Sequence, residues 1–226
     1  MVERVRYGDI AEAVADTGMI ARGGFVTDQI DHAGGLDAAC VVMIGNAGGA
    51  IWPRFERQRT PGQDPLDRWT RASLQPIATR FGATFVHPSD QPYQPFQRWA
   101  QRADHVWQSP IGMLIHPEFG LWHAYRGALL FAELVEGLPI VDALQSPCMT
   151  CVGQPCLTTC PVDAFTVDGY DSQACRQHVR SGLEPNCLSA GCAARLACPI
   201  GVEHRYGADH MRFHMAAFAG VEQSDP

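Results

Sequence analysis

The segment Cys148-Met149-Thr150-Cys151-Val152-Gly153-Gln154-Pro155-Cys156-Leu157-Thr158-Thr159-Cys160-Pro161 places four cysteines in fourteen residues. A looser run follows: Cys175, Cys187, Cys192 and Cys198, the last again followed by a proline, Pro199. Eight of the nine cysteines lie in these two runs. Nine is odd, so full disulfide pairing within one chain is excluded, which agrees with thiols kept reduced in the cytoplasm. Thiolate is a soft ligand, suited to zinc and to iron–sulfur clusters.

Structural zinc usually sits in paired C-x₂₋₄-C knuckles with no required proline. Here each run is longer than two knuckles and closes on Cys-Pro. Such a pair of runs is similar to bacterial-type ferredoxins, in which the last cysteine of each run ligates the other of two clusters. The resemblance implies one [4Fe–4S] cluster on Cys148, Cys151, Cys156 and Cys198, and a second on Cys160, Cys175, Cys187 and Cys192. Asp168-Gly169 is a hairpin signal after the first Cys-Pro. The spacing departs from C-x₂-C-x₂-C-x₃-C-P: four residues separate Cys151 from Cys156 and Cys187 from Cys192, and five separate Cys192 from Cys198. Zinc stays open as the alternative. Cys40, in an apolar run, reads as a plain core residue.

The 226 residues carry a formal charge of −7, and all 17 basic residues are arginine. No Schiff-base or Walker lysine is available. The acidic balance argues against a nucleic-acid partner, which needs clustered positive charge. No stretch is long and apolar enough for a membrane span; the best, 127–140, is broken by Glu133 and Glu136. The N-terminus has no apolar signal core. The expected setting is cytoplasmic.

Upstream of the cysteines the patterning alternates between strand and helix. The apolar run from Ala38 to Ile44 predicts a buried strand, followed by the glycine-rich Gly45-Asn46-Ala47-Gly48-Gly49-Ala50, where backbone could approach a ligand closely. It is not G-x-G-x-x-G, so no dinucleotide site follows. Residues 65–81 predict an amphipathic helix with Leu66, Trp69, Leu74, Ile77 and Ala78 on one face. A helical pattern also begins at Ile10, with Gly-rich turns after it. Further strands are expected over 83–86, 112–116 and 124–131, and helices over 97–107 and 205–219. The expected class is α+β, with a body over 1–145, a cysteine module over 146–204, and a helix and tail over 205–226.

The stretch Ile115-His116-Pro117-Glu118-Phe119-Gly120-Leu121-Trp122-His123-Ala124-Tyr125-Arg126-Gly127 is dense in aromatic, His and Arg residues. Taken alone it fits a core hairpin with satisfied polar groups. It also resembles the His-Pro-x-Phe/Tyr-Gly-Gly-Trp-Phe-Ala-x-Arg-Gly stretch of the cobalamin-processing, decyanating chaperones. Leu121 and His123 stand where that family has Gly and Phe. Weaker likeness extends over roughly 36–132 and includes the Pro-Leu-Asp-Arg-Trp helix and Thr84-Phe85-Val86-His87-Pro88. The resemblance implies a flavin-reductase-like mixed sheet and a corrinoid site lined by His116, Pro117, Phe119, Gly120, Trp122 and Arg126, with Gly45 and Gly48 beside it.

The cysteine module is similar to that of epoxyqueuosine reductase, an enzyme combining cobalamin with two [4Fe–4S] clusters. The two resemblances together imply an oxidoreductase: a cobalamin reductase that takes electrons from an external reductase, ferredoxin or flavodoxin and strips the upper ligand from base-off cobalamin. The alternatives are an epoxyqueuosine-reductase-like tRNA-modifying enzyme and an electron-transfer ferredoxin.

Overall fold

The computed structural model describes residues 4–28, 31, 38–166 and 169–221. In chain order the first elements are helix α1 (Tyr7–Ala15), strands β1 (Ile20–Val26) and β2 (Cys40–Ala47), and helices α2 (Trp52–Gln58) and α3 (Pro65–Arg80). Strand β3 (Thr84–Val86), helix α4 (Phe96–Ala103), and strands β4 (Trp107–Gln108), β5 (Leu114–Ile115) and β6 (His123–Phe131) follow. The rest holds α5 (Pro155–Thr158), β7 (Phe165–Thr166), β8 (Gly169–Tyr170), α6 (Ser172–Ser181), α7 (Cys187–Ala190), α8 (Ala193–Leu196) and α9 (Ala208–Ala219). Two compact units result, Met1–His105 with His123–Leu144, and Val106–Trp122 with Gln145–Pro226.

The first unit is built on a four-stranded sheet in the order β1-β2-β6-β3. Every pairing in it is antiparallel, so the mixed sheet expected from the sequence is corrected to an antiparallel one. The apolar run ending at Ile44 forms the core of β2, which is buried from Cys40 to Asn46 because both its edges are paired. Strand β1 was hidden by its composition: it contains Gly23 and Gly24 and reads as turn. Gly23 takes φ +76 beside a register shift, and a Cβ there would meet the Ala103 carbonyl oxygen at 1.8 Å. Glycine permits that close approach.

Helix α3 follows its periodicity. Leu66, Trp69, Thr70, Leu74, Ile77 and Ala78 are buried on one face, Pro65 opens it, and Pro76 lies on the exposed face. Helix α4 ends at Ala103 because Asp104 turns extended. The Asp104 carboxylate pairs with buried Arg22 at 2.6 Å and accepts the Tyr125 hydroxyl at 2.9 Å. Burial pushes the Tyr125 phenol well above its ordinary pKa.

The second unit has no comparable sheet among its described residues. Its elements are mostly two to four residues long and pack around two apolar clusters. One joins Ile111, Ile115, Leu121, Ala194 and Cys198; the other joins Val179, Cys187 and Ala219. That packing is why residues 106–122 and α9 belong with the cysteine runs, a division that differs from boundaries at 145 and 204. The strand expected over 112–116 is the two-residue β5, paired with β4. Strands β7 and β8 pair antiparallel; Asp168 of the expected turn lies outside the described residues.

Candidate metal centre

Short, well-capped turns position the thiols. Cys148 sits in a 3₁₀ turn, Pro147–Thr150, whose preceding Ser146 oxygen accepts the Cys148 N–H at 3.3 Å. Pro155 opens the turn of α5 that carries Cys156. Asp171 caps α6, which carries Cys175, by accepting the N–H groups of Gln173 and Ala174 at 3.1 and 2.9 Å. Asn186 caps α7 at Cys187 by accepting from Leu188 and Ser189 at 3.0 and 3.2 Å. Cys192 immediately precedes α8, and Cys198 follows it. Capping of this kind satisfies donors that a one-turn helix leaves over.

The eight thiols gather into two groups. Cys148, Cys151, Cys156 and Cys198 line one cavity together with Ile115, Leu121 and Ile200. Burial pushes the Cys148, Cys156 and Cys198 thiols up, and sulfurs of the same group push them further. In the second group, burial raises Cys187, with Cys175 and Cys160 adding to it. Burial likewise raises Cys192, with Cys187 and Cys175 adding. Cys198 thus lies beside the first run, and Cys160 beside Cys187.

Thiolates held this close repel one another, so such a group ionises together only around a cation. Among the described residues no three His, Cys, Asp or Glu converge to hold a single metal ion.

N–H groups point at the sulfurs. Ala164 donates to Cys160 Sγ at 3.4 Å. The backbone N–H of Ala193 near Cys187, those of Arg195 and Ala194 near Cys192, and that of Ile200 near Cys198 offset part of the rise that burial causes. The surroundings are otherwise apolar: Cys148, Cys156, Cys160 and Cys192 pack on the cluster around Ile111, Ile115 and Leu121. Cys40 stands apart in β2, fully buried, and accepts the Val135 N–H at 3.4 Å.

The aromatic stretch proposed to line a corrinoid site is divided. His116, Pro117, Phe119, Gly120 and Trp122 fall in the second unit; Arg126, Gly45 and Gly48 fall in the first. In the second unit Gly120 and Gly201 lie back to back. A Cβ on Gly120 would sit 1.9 Å from the Ile200 oxygen, and one on Gly201 2.3 Å from the Phe119 carbonyl carbon. Arg195 donates to the Leu121 carbonyl through Nε at 3.1 Å and Nη2 at 2.6 Å. Its guanidinium lies 4.2 Å from the Trp122 ring and 4.5 Å from the Tyr206 ring. Trp122 is 1% exposed. His116 stacks on Phe119 at 4.3 Å and accepts the N–H groups of Glu118 and Phe119, both at 3.1 Å. Pro117 is exposed.

In this structure, then, Gly120, Leu121 and Trp122 brace the segment that carries Cys198 and offer no exposed face to a corrinoid. In the first unit Gly45 makes room for β6: its Cβ would meet the Ala124 oxygen at 2.1 Å. Gly48 turns the chain toward α2 at φ +55, and Arg126 Nε donates to Asn46 Oδ1 at 3.0 Å. The sequence reading missed Ser146, Arg195, Tyr206 and Gly201. Only Gly201, three residues beyond a Cys-Pro cysteine, carried a local signal, since a positive φ of +69 calls for glycine.

No family model matches this chain, and no curated protein matches it. Solved structures do. A selenomethionine-labelled epoxyqueuosine reductase superposes with a TM-score of 0.58 at 12% identity, over 91% of this chain and 68% of that one. The epoxyqueuosine reductase of Streptococcus thermophilus gives 0.57 at 14%, over 85% and 65%. One bound to a tRNA-Tyr epoxyqueuosine-modified stem loop gives 0.50 at 14%, over 89% and 66%. The chain thus spans about two thirds of those enzymes, and the likeness is one of fold. It supports the epoxyqueuosine-reductase half of the sequence reading and lends none to the cobalamin-chaperone half. No described helix is long and apolar enough to cross a membrane.

Proposed function

We propose that this chain is an iron–sulfur oxidoreductase of the epoxyqueuosine reductase type, carrying two [4Fe–4S] clusters. Cys148, Cys151, Cys156 and Cys198 hold one, and Cys160, Cys175, Cys187 and Cys192 the other. The observation that carries this reading is the gathering of the eight thiols into two crossed groups. When bound, the clusters supply one-electron transfer, two electrons from the pair. The chain's own residues exclude water with Ile115, Leu121 and Ile200, aim N–H groups at the sulfurs, and hold the ligand turns through the Gly120–Gly201 and Arg195–Leu121 contacts.

The substrate this reading favours is an epoxide in a tRNA-borne nucleoside. Loss of an epoxide oxygen as water takes two electrons and two protons, which matches a pair of one-electron centres. The expectation that nucleic acid is no partner rested on net charge, which describes the whole chain and not any one face. Reductive decyanation of cobalamin is the less supported reading, because Gly120 and Trp122 are spent on packing.

The test is a single anaerobic experiment with reduced, cluster-loaded protein. An epoxyqueuosine-bearing tRNA stem loop should lose one oxygen by mass spectrometry of its nucleosides. An unaltered nucleoside at full cluster occupancy contradicts the substrate assignment. Cyanide release from cyanocobalamin under the same conditions would return the decyanase reading.

A further inference from the structure

Helices α2 and α3 and the turn after α1 enclose a cavity of about 530 Å³ in the first unit, which the cluster chemistry does not use. Arg54 of α2 and Arg68 of α3 both line it, and no aspartate or glutamate does. Each guanidinium is anchored on backbone carbonyls. Arg54 Nη1 donates to the Asp16 carbonyl. Arg68 Nη2 donates to the Thr60 and Pro61 carbonyls at 2.6 and 2.9 Å, and to the Thr60 hydroxyl at 3.2 Å. The carboxylates closest to them in sequence, Glu56 and Asp67, lie against Arg59 at 3.5 Å and His87 at 3.7 Å. A guanidinium has five N–H donors in a planar fork, so both arginines keep donors for a ligand. In a chain of 24 acidic and 17 basic residues, this cavity carries positive charge with no carboxylate on its walls.

We propose that this cavity binds the phosphate group of a phosphate ester through Arg54 and Arg68. The arginine fork matches phosphate oxygens two at a time, and such charge-assisted bonds are the strong ones. Two cations balance a dianionic phosphate better than a single carboxylate. Neutral donors stand beside them: Ser73 brings a hydroxyl, and Gln58 an amide. The Gln58 Oε1 accepts the Trp69 Nε1–H at 2.8 Å, which fixes the amide and leaves its NH₂ to donate. Pro65, Trp69 and Ala72 add an apolar wall. The volume exceeds a bare phosphate and falls within the roughly 300–1,000 Å³ of small-molecule sites, so the phosphate belongs to a larger molecule. That molecule is a free ester or an RNA whose backbone presents the same group. The site stands apart from the cluster reading, because all its residues lie in the first unit.

The test is isothermal titration calorimetry of the full chain, prepared without oxygen, in wild type, Arg54→Gln and Ala72→Glu. The probes are adenosine 5′-monophosphate, an unmodified RNA stem loop and succinate. Arg54→Gln removes one cation. Ala72 is exposed on α3, so Ala72→Glu keeps the fold and sets a carboxylate on the cavity wall. The nucleotide or the stem loop should bind wild type, and each variant should bind it about tenfold more weakly, the scale of one lost hydrogen bond to a charged group. Binding of the nucleotide marks a free-ester site, and binding of the stem loop alone marks RNA as the source. If Arg54→Gln fails to fold, Ala72→Glu decides. Wild type that binds neither phosphate probe overturns the proposal. So does an affinity that Ala72→Glu leaves unchanged, or succinate bound as tightly as the nucleotide.

Discussion

The two units are held together by different means. In the first, β2 and β6 pair over eight residues, α3 lays an apolar face on the core, and the buried Arg22–Asp104 pair is enclosed beside Tyr125. Backbone hydrogen bonds and apolar burial suffice there. In the second, α5, α7 and α8 are each four residues long, below the length at which a helix persists unaided. The residues they contribute to the interior include the thiols themselves. On the proposed reading, a unit whose interior is built from cluster ligands is stable to the extent that its clusters are bound.

The largest effect should come from removing the metal. In the cluster-free full chain, amides of α7 and α8 should exchange hydrogen almost as in an unfolded peptide, while those of β2 and β6 keep their protection. Equal protection in both units would erase the contrast. Next in size is Arg22→Met, which leaves the Asp104 carboxylate buried without its cation. Breaking a buried pair this way costs about 3–5 kcal/mol. The loss should appear in urea unfolding of the first unit, with the cluster absorbance per folded chain unaltered.

Gly120→Ala tests the brace in the second unit. The φ of +56 and the 1.9 Å approach to Ile200 should cost about 1–3 kcal/mol through backbone strain. The expected readout is faster cluster loss in air, with the sheet unit unaffected. An alanine variant as robust as wild type would show that the Cys198 segment does not depend on this contact.

The smallest effect is one of pH. Burial lowers the pKa of His87, the nearby Asp67 carboxylate only partly offsetting it, and the side chain is 4% exposed. Above the ordinary histidine value of about 6.5, folded and unfolded chains are both neutral there, and His87 contributes no pH dependence. As the pH falls below that value the unfolded chain takes up a proton that the folded one resists. The first unit should therefore lose stability until the pH passes the lowered pKa. His87→Gln should flatten the difference in melting temperature between pH 7.5 and pH 5. An unchanged slope would place the sensitivity elsewhere.

Much of this contrast was readable from residues, and the unread part has physical causes. The apolar run 38–44 and the face of α3 obeyed simple periods, so β2 and α3 were foreseen. Strand β1 was not, because Gly23 serves a close approach of Ala103 in α4, and Gly24 one of Val41 and Leu138, that only the folded chain reveals. The expected thiol groups came from the ferredoxin resemblance and not from spacing, because Cys198 is 42 residues from Cys156 in sequence. The role of 115–127 was not legible in the sequence, because a motif rich in His, Trp and Arg looks alike whether it faces a ligand or braces a neighbouring turn. Its partners, Arg195, Ile200, Gly201 and Tyr206, lie some 70–90 residues downstream in sequence.

Most directly at stake is that eight of the nine cysteines hold two four-iron clusters. Iron and acid-labile sulfide should be counted on the full chain after anaerobic reconstitution, in wild type and in Cys198→Ser. The account predicts about eight of each per wild-type chain, as two cubanes require. It also predicts that the serine variant loses the cluster of the first run, Cys148, Cys151 and Cys156, and keeps the other. Stoichiometric zinc without sulfide, or a serine variant that loses only the cluster of Cys175, Cys187 and Cys192, would contradict it.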